Sequence, residues 1–140
     1  MPDLLVDITD GVGTLTMNRQ DARNALSLEM RSGMHEFLDK YEFDDSVRCV
    51  VIRGAGDHFM AGGDVKSFAG MAKEKSSEEM RTHFLHRIHN LHGFISAMRR
   101  FPKPIIASTR GAVAGAGVSL AAACDLIIAS DDSFYTLAYC

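Results

Sequence analysis

Two glycine-rich stretches hold the residues best suited to main-chain chemistry. Residues 54–64 read GAGDHFMAGGD, and residues 111–117 read GAVAGAG. Each follows an apolar run that reads as a strand, at 47–53 and 105–107, and each leads toward a helix, at 65–68 and 118–124. Glycine lets the backbone turn sharply and lets another molecule come close to it. The first turn of the following helix presents N–H groups with no intrahelical acceptor. Such a place suits a negative charge, present or developing. Two such turns aimed at one oxygen form an oxyanion hole of backbone donors. Two ordinary strand-to-helix turns would show the same local pattern, so context must decide.

Other constellations are weaker. Gly117-Val118-Ser119-Leu120-Ala121 has the outline of a nucleophile elbow. In α/β-hydrolases the acid and the histidine follow the serine, yet the last histidine here is His92. Other triad orders exist and are recognised by geometry. Gly115-Ala116-Gly117 suggests a dinucleotide loop, but Leu120 stands where a third glycine or alanine belongs. His83, His86, His89 and His92 recur every third residue. That step drifts around a helix of 3.6 residues per turn, so the four cannot share one tight metal site. Asp64 reads as a helix N-cap in preference to a catalytic acid. Asp131-Asp132 reads as a turn.

The elements that must position these residues are legible from pattern. The 140 residues suit one domain, with 46% hydrophobic and 24% charged residues. A net charge of -3 without a basic block argues against a nucleic-acid partner. No run is apolar for long enough to span a bilayer, and the N-terminus lacks a secretory pattern, so a cytoplasmic location is expected. Three cysteines, Cys49, Cys124 and Cys140, with no C-x-x-C, read as reduced thiols. Residues 4–9 and 12–17 flank Asp10-Gly11, a hairpin signal. Ser27 caps a helix to about residue 43, with Met30, Met34, Phe37, Leu38 and Tyr41 as its stripe. Residues 71–79 read as polar and poorly packed. A long helix at 78–100 carries Met80, Phe84, Ile88, Leu91, Ile95 and Met98 at helical spacing, and Pro102 and Pro104 stop it. Residues 126–130 read as another buried strand, and a further strand begins at 134. Hairpin, then strand, helix, strand, helix, strand gives an α/β class with parallel pairing.

Taken together these residues resemble the enoyl-CoA hydratase/isomerase, or crotonase, family. Asn18-Arg19-Gln20-Asp21-Ala22-Arg23-Asn24-Ala25-Leu26 is similar to its N-R-P-x-x-x-N-A-L signature, with Gln20 for proline. Residues 59–65, FMAGGDV, resemble its first oxyanion loop; residues 111–117 with Leu120 and Cys124-Asp125 resemble its second. The resemblance implies a crotonase-like (ClpP/crotonase) fold of repeated β-β-α units. It implies an acyl-CoA thioester as substrate and an enolate held by the N–H groups of Gly63 and Ala116. It places CoA along Arg23, Asn24, Ala25, Ala61, Gly62 and Asp64, with Lys66 as a further phosphate contact. No cofactor beyond CoA and no metal is implied. A homo-oligomer, trimer or hexamer, is.

The pattern also departs from the family. The two glutamates of its hydratases would fall at Ser119 and near Tyr139, and neither is a carboxylate. A serine hydroxyl or a phenol is a poor base without an activator. Isomerisation of an enoyl-CoA is therefore the first expectation, and hydration the second. An acyl-CoA-binding or subunit-interaction protein without chemistry is the alternative of another class. Family members are longer, so residues 1–140 are expected to form the N-terminal core of a truncated fold, without the C-terminal helical part.

Overall fold

The computed structural model describes residues 1–63, 69–71, 73 and 75–138. Asp64, Lys66, Tyr139 and Cys140 lie outside the described residues, as does the helix start expected at 65–68. β1 (Leu4–Thr9) and β2 (Val12–Met17) form the antiparallel hairpin, with Thr9 opposite Val12. Asp10 and Gly11 both take positive φ, at 52° and 82°, the backbone that an Asp-Gly hairpin turn requires.

A 3-10 turn at Gln20–Ala22 leads to α1 (Leu28–Tyr41), whose cap is Ser27. The Ser27 hydroxyl accepts the Met30 N–H at 3.2 Å. Met30, Met34, Phe37 and Leu38 are buried along one stripe. β3 (Cys49–Gly54) follows, then α2 (Ser77–Arg100) and β4 (Ile105–Thr109). β5 (Ala112–Ala114) and α3 (Ala116–Ala123) precede β6 (Leu126–Ala129) and β7 (Phe134–Thr136). The main sheet runs β1-β2-β3-β4-β6, parallel from β2 onward, and β5 pairs with β7 in a small parallel sheet. Helices between parallel neighbours are the crossovers that such pairing demands.

The core lies between the main sheet and the helices. Val50, Ile52, Ile105 and Ala107 alternate inward from β3 and β4. Met34, Phe37, Phe94 and Met98 meet them from α1 and α2. Each large side chain so buried contributes roughly 1.5–3 kcal/mol.

Four expectations change. β6 is a strand, but it is exposed rather than buried: Leu126, Ile127 and Ile128 are 59%, 46% and 63% accessible. Apolar composition signals a strand's fitness for burial and says nothing of what covers it. The stripe on α2 is divided. Its C-terminal half reaches the core through Phe94 and Met98, while Ile88 is exposed. The polar residues at the start of α2 have a structural job, because the N-cap Ser76 and Glu79 in the first turn form a reciprocal capping box. Finally, the run after Gly111 holds a strand, β5, where the sequence reads as a glycine turn.

Candidate active site

The two glycine loops are stitched together through their backbones. Leaving β3, the first loop runs beside β5. The Phe59 N–H donates to the Arg110 carbonyl at 2.9 Å, and the Met60 N–H to Ala112 at 3.1 Å. The Ala114 N–H returns to the Met60 carbonyl at 2.9 Å. On its other side, the Ala61 N–H donates to Arg23 at 3.0 Å, and the Leu26 N–H donates to Gly62 at 2.9 Å. Gly62 and Gly115 both hold positive φ, at 109° and 50°. A Cβ on Gly115 would stand 3.7 Å from the Gly62 Cα. The two turns therefore touch, and the residue after each, Gly63 and Ala116, lines one cavity of about 220 Å³.

Helix α3 brings the second of these residues, Ala116, to the cavity. Gly115 is its N-cap and Ala116 its first helical residue, where an N–H has no acceptor within the helix. The Val118 and Ser119 N–H groups already bond the Gly115 carbonyl, at 3.0 and 3.3 Å. Gly117 sits so close to the loop that a Cβ there would overlap the Met60 carbonyl oxygen. At the far end, Asp125 fixes the helix to β4. Its carboxylate accepts the Ile105 N–H at 2.8 Å, and its own N–H donates to the Ile105 carbonyl at 2.8 Å.

The walls of the cavity are mostly apolar. Leu26 and Leu28 come from the start of α1, and Phe84, Ile88 and Leu91 from α2. Three residues of the expected core stripe on α2 thus face this space. Ser27, Arg31 and Arg87 complete the wall. Burial, and after it the Arg87 charge, lowers the pKa of the Arg31 guanidinium. Among the described residues of this wall there is no carboxylate and no imidazole. An apolar, partly closed space strengthens electrostatic contacts made within it. Sequence reasoning did not single out Arg31 or Arg87. Their signal would have been a charge on the inward side of each helix.

The signature around Asn24 serves as a brace. Asn24 is fully buried. Its amide oxygen accepts the Arg19 N–H at 2.9 Å, and its amide nitrogen donates to the Ala55 and His58 carbonyls at 2.9 and 2.8 Å. The side chain is thus committed to the first glycine loop. The Arg19 guanidinium bonds the Ala25 carbonyl at 2.9 Å. Arg23, itself at positive φ, borders a separate polar cleft of about 250 Å³ with Asp21, Asp57 and His58. Ser119 is the fourth residue of α3, half-buried and outside the cavity wall. A nucleophile elbow would place its serine at the tip of the turn, so the elbow reading fails. His83 is half-buried while His86, His89 and His92 are exposed, and no group of three metal-ligating side chains comes together among the described residues. Among those residues no helix is long and apolar enough to cross a membrane.

Known proteins share this architecture. A family model described as enoyl-CoA hydratase/isomerase matches residues 12–138. The chain is 34% identical over 138 residues to a trans-2-decenoyl-(acyl-carrier-protein) isomerase of Streptococcus mutans, covering 98% of this chain and 51% of the relative. It is 32% identical over 143 residues to the 1,2-epoxyphenylacetyl-CoA isomerase of Escherichia coli, covering 99% and 52%. A solved enoyl-CoA hydratase from Polaromonas superposes with a TM-score of 0.86 at 34% identity, covering 97% of this chain and 51% of that one. An enoyl-CoA hydratase/isomerase from Marinobacter aquaeolei gives 0.83 at 35%, covering 96% and 51%. The chain spans about half the length of the curated relatives it matches. With the stitched glycine loops in the places that these matches cover, the chain belongs to the enoyl-CoA hydratase/isomerase family.

Proposed function

We propose that the protein isomerises an enoyl-CoA, holding the thioester enolate in an oxyanion hole made by the N–H groups of Gly63 and Ala116. The observation that carries this reading is that both residues, from two separate loops, line one small apolar cavity. A 3-enoyl thioester gives up a proton from C2 to a general base, which the described residues of the cavity wall do not supply. Negative charge then builds on the carbonyl oxygen, facing two fixed donors that need no reorganisation. Delivery of a proton to C4 from that base, after exchange with solvent, completes the shift of the double bond. No atom of water enters the product, and CoA is part of the substrate. The Streptococcus relative is named an isomerase of a trans-2-decenoyl thioester and other relatives are named enoyl-CoA hydratases, so the preference for isomerisation rests on the absence of a carboxylate at Ser119 and Tyr139.

By resemblance, CoA lies along Arg23, the Asn24-Ala25 backbone, Ala61 and Gly62, with Asp64 and Lys66 beyond them. Arg23 meets a phosphate, and the Asn24 side chain acts indirectly, through the loop that it braces. The same resemblance implies a trimer or hexamer, and the unpaired pattern of the cysteines favours a reducing compartment such as the cytoplasm.

The test is to supply a 3-enoyl-CoA in heavy water and follow the absorbance of the conjugated 2-enoyl thioester. The expected product is a 2-enoyl-CoA carrying deuterium at C4. Formation of a 3-hydroxyacyl-CoA from a 2-enoyl-CoA would instead make the protein a hydratase. Binding of CoA thioesters without turnover would make it a non-catalytic binder.

A further inference from the structure

Both sheets end, on one side of the molecule, in an open strand. β6 lies outside β4 and β7 outside β5, and β4 leads into β5 across Arg110 and Gly111. Leu126, Ile127, Ile128, Phe134, Tyr135 and Leu137 on these two strands and just after them are between 44% and 63% accessible. Apolar patches beyond roughly a few hundred Å² are uncommon on single chains and mark contacts. β6 is the last strand of its sheet. Its sequence, LIIA, holds no charge and no proline, so it lacks the side chains that keep an edge strand from pairing.

The backbone of β6 dictates how a strand can be added to it. The Asp125 N–H donates to the Ile105 carbonyl of β4 at 2.8 Å. Successive strand residues turn their N–H and carbonyl groups to opposite sides. Ile127 therefore also faces β4, and Leu126 and Ile128 turn theirs to the open side. A two-fold axis through Ile127, perpendicular to the sheet, sets Leu126 opposite the partner's Ile128 and Ile128 opposite the partner's Leu126. Each of these pairs then exchanges both hydrogen bonds of an antiparallel ladder, and every backbone group that Leu126 and Ile128 leave open is used. Ile127 meets the partner's Ile127 at the non-bonded position between them. Asp125 falls opposite the partner's Ala129, so no like charges are directly opposed. Apolar cross-strand pairs stabilise such a joint, and opposed like charges would weaken it. An axis through Ile128 instead would set Leu126 against the partner's Ser130, which fixes the register at Ile127.

We infer that β6 is an interface between two copies of this chain, joined antiparallel about a two-fold axis at Ile127 into one continuous sheet. A second copy is the occupant because the edge is complementary to itself in backbone groups, in apolar side chains and in charge. Phe134 and Leu137, on the same side of the molecule, add apolar surface to the contact. The interface uses no residue lining the cavity beside Gly63 and Ala116, so it stands or falls apart from the proposed function.

The test is symmetric cross-linking. Cα atoms opposed at a non-bonded antiparallel position are about 4.5 Å apart, within reach of a disulfide. Oxidised Ile127→Cys should therefore give a covalent dimer. Ile128→Cys, whose partner position is Leu126, should give no more dimer than the unaltered chain, which carries the same native cysteines. In the unaltered protein, hydrogen exchange should show the Leu126 and Ile128 amides protected when concentrated and released on dilution, with the Ile127 amide protected by β4 throughout. Sedimentation should give an even number of chains. Ile128→Lys, with an unchanged circular dichroism spectrum, should weaken that association about tenfold or more. A mass of one chain at high micromolar concentration would overturn the inference, and so would polydisperse aggregates or equal cross-linking of Ile127→Cys and Ile128→Cys. Leu126 and Ile128 amides protected at every dilution in a protein of one-chain mass would show that the chain covers this edge itself, and would overturn it too.

Discussion

Of the two proposed donors, the Ala116 N–H is the one whose loss can be made most cleanly. Its position is the first of α3, where proline's fixed φ and missing N–H are compatible with a helix. Ala116→Pro should therefore keep the circular dichroism spectrum while kcat/KM on an enoyl-CoA falls by about 10²–10³. Full activity in a folded Ala116→Pro protein would exclude that donor. Asn24 makes a contrasting prediction. It touches no cavity wall beside Gly63, yet it satisfies three part-buried backbone groups. Asn24→Ala should destabilise the protein by about 2–4 kcal/mol in denaturant titrations, and a loss within a few tenths would show that the brace is dispensable. Cys124 gives a pH prediction. Burial first, and the Asp125 charge second, push its thiol from an ordinary 9.0 up to about 12. Above 9 the unfolded chain releases this proton and the folded chain keeps it. Its contribution to stability is thus full below pH 9 and falls as pH rises toward 12. Cys124→Ala should flatten that part of the stability profile.

The glycine loops act as one element with β5 and α3. Gly117 shows how tightly, since any side chain there meets the Met60 carbonyl. Gly117→Ala should lift α3 from the loop, cost about 1–3 kcal/mol, and weaken the acetoacetyl-CoA enolate band. A stable variant with an unaltered band would mean that this contact does not set the geometry. Such contacts explain which elements could be read in advance. The Asp10-Gly11 hairpin and the Ser27 cap follow from residues close in sequence, and both lie where pattern places them. β5 could not be read, because its three residues are strand only through Met60 and β7, far along the chain. The two N–H groups were legible as types and positions. That their turns touch was not, since it depends on backbone bonds across more than fifty residues, such as Ala114 to Met60 and Phe59 to Arg110. The arginines of the cavity escaped notice for a similar reason: each reads alone as a solvated helix charge.

At the scale of the molecule, the sheet is covered on one face by α1 and α2, and the other carries Arg53, Ser108 and Ile128 toward solvent. The catalytic proposal depends on the covered side, where loop, helix and core meet. The exposure of β6 leaves the site intact, because β6 is the edge strand of the sheet and lines no part of the cavity. Substrate binding should report directly on the assembled site, since only the folded arrangement brings Gly63 and Ala116 to one cavity. The most direct measurement is titration of the protein with acetoacetyl-CoA, following the ultraviolet band of its enolate, in the unaltered chain and in Ala116→Pro. A pair of backbone donors should hold the enolate more tightly than the neutral form, so the band should grow in the unaltered protein and be lost in Ala116→Pro. A band of equal size in both, or bound acetoacetyl-CoA that shows none, would contradict the oxyanion hole at Gly63 and Ala116.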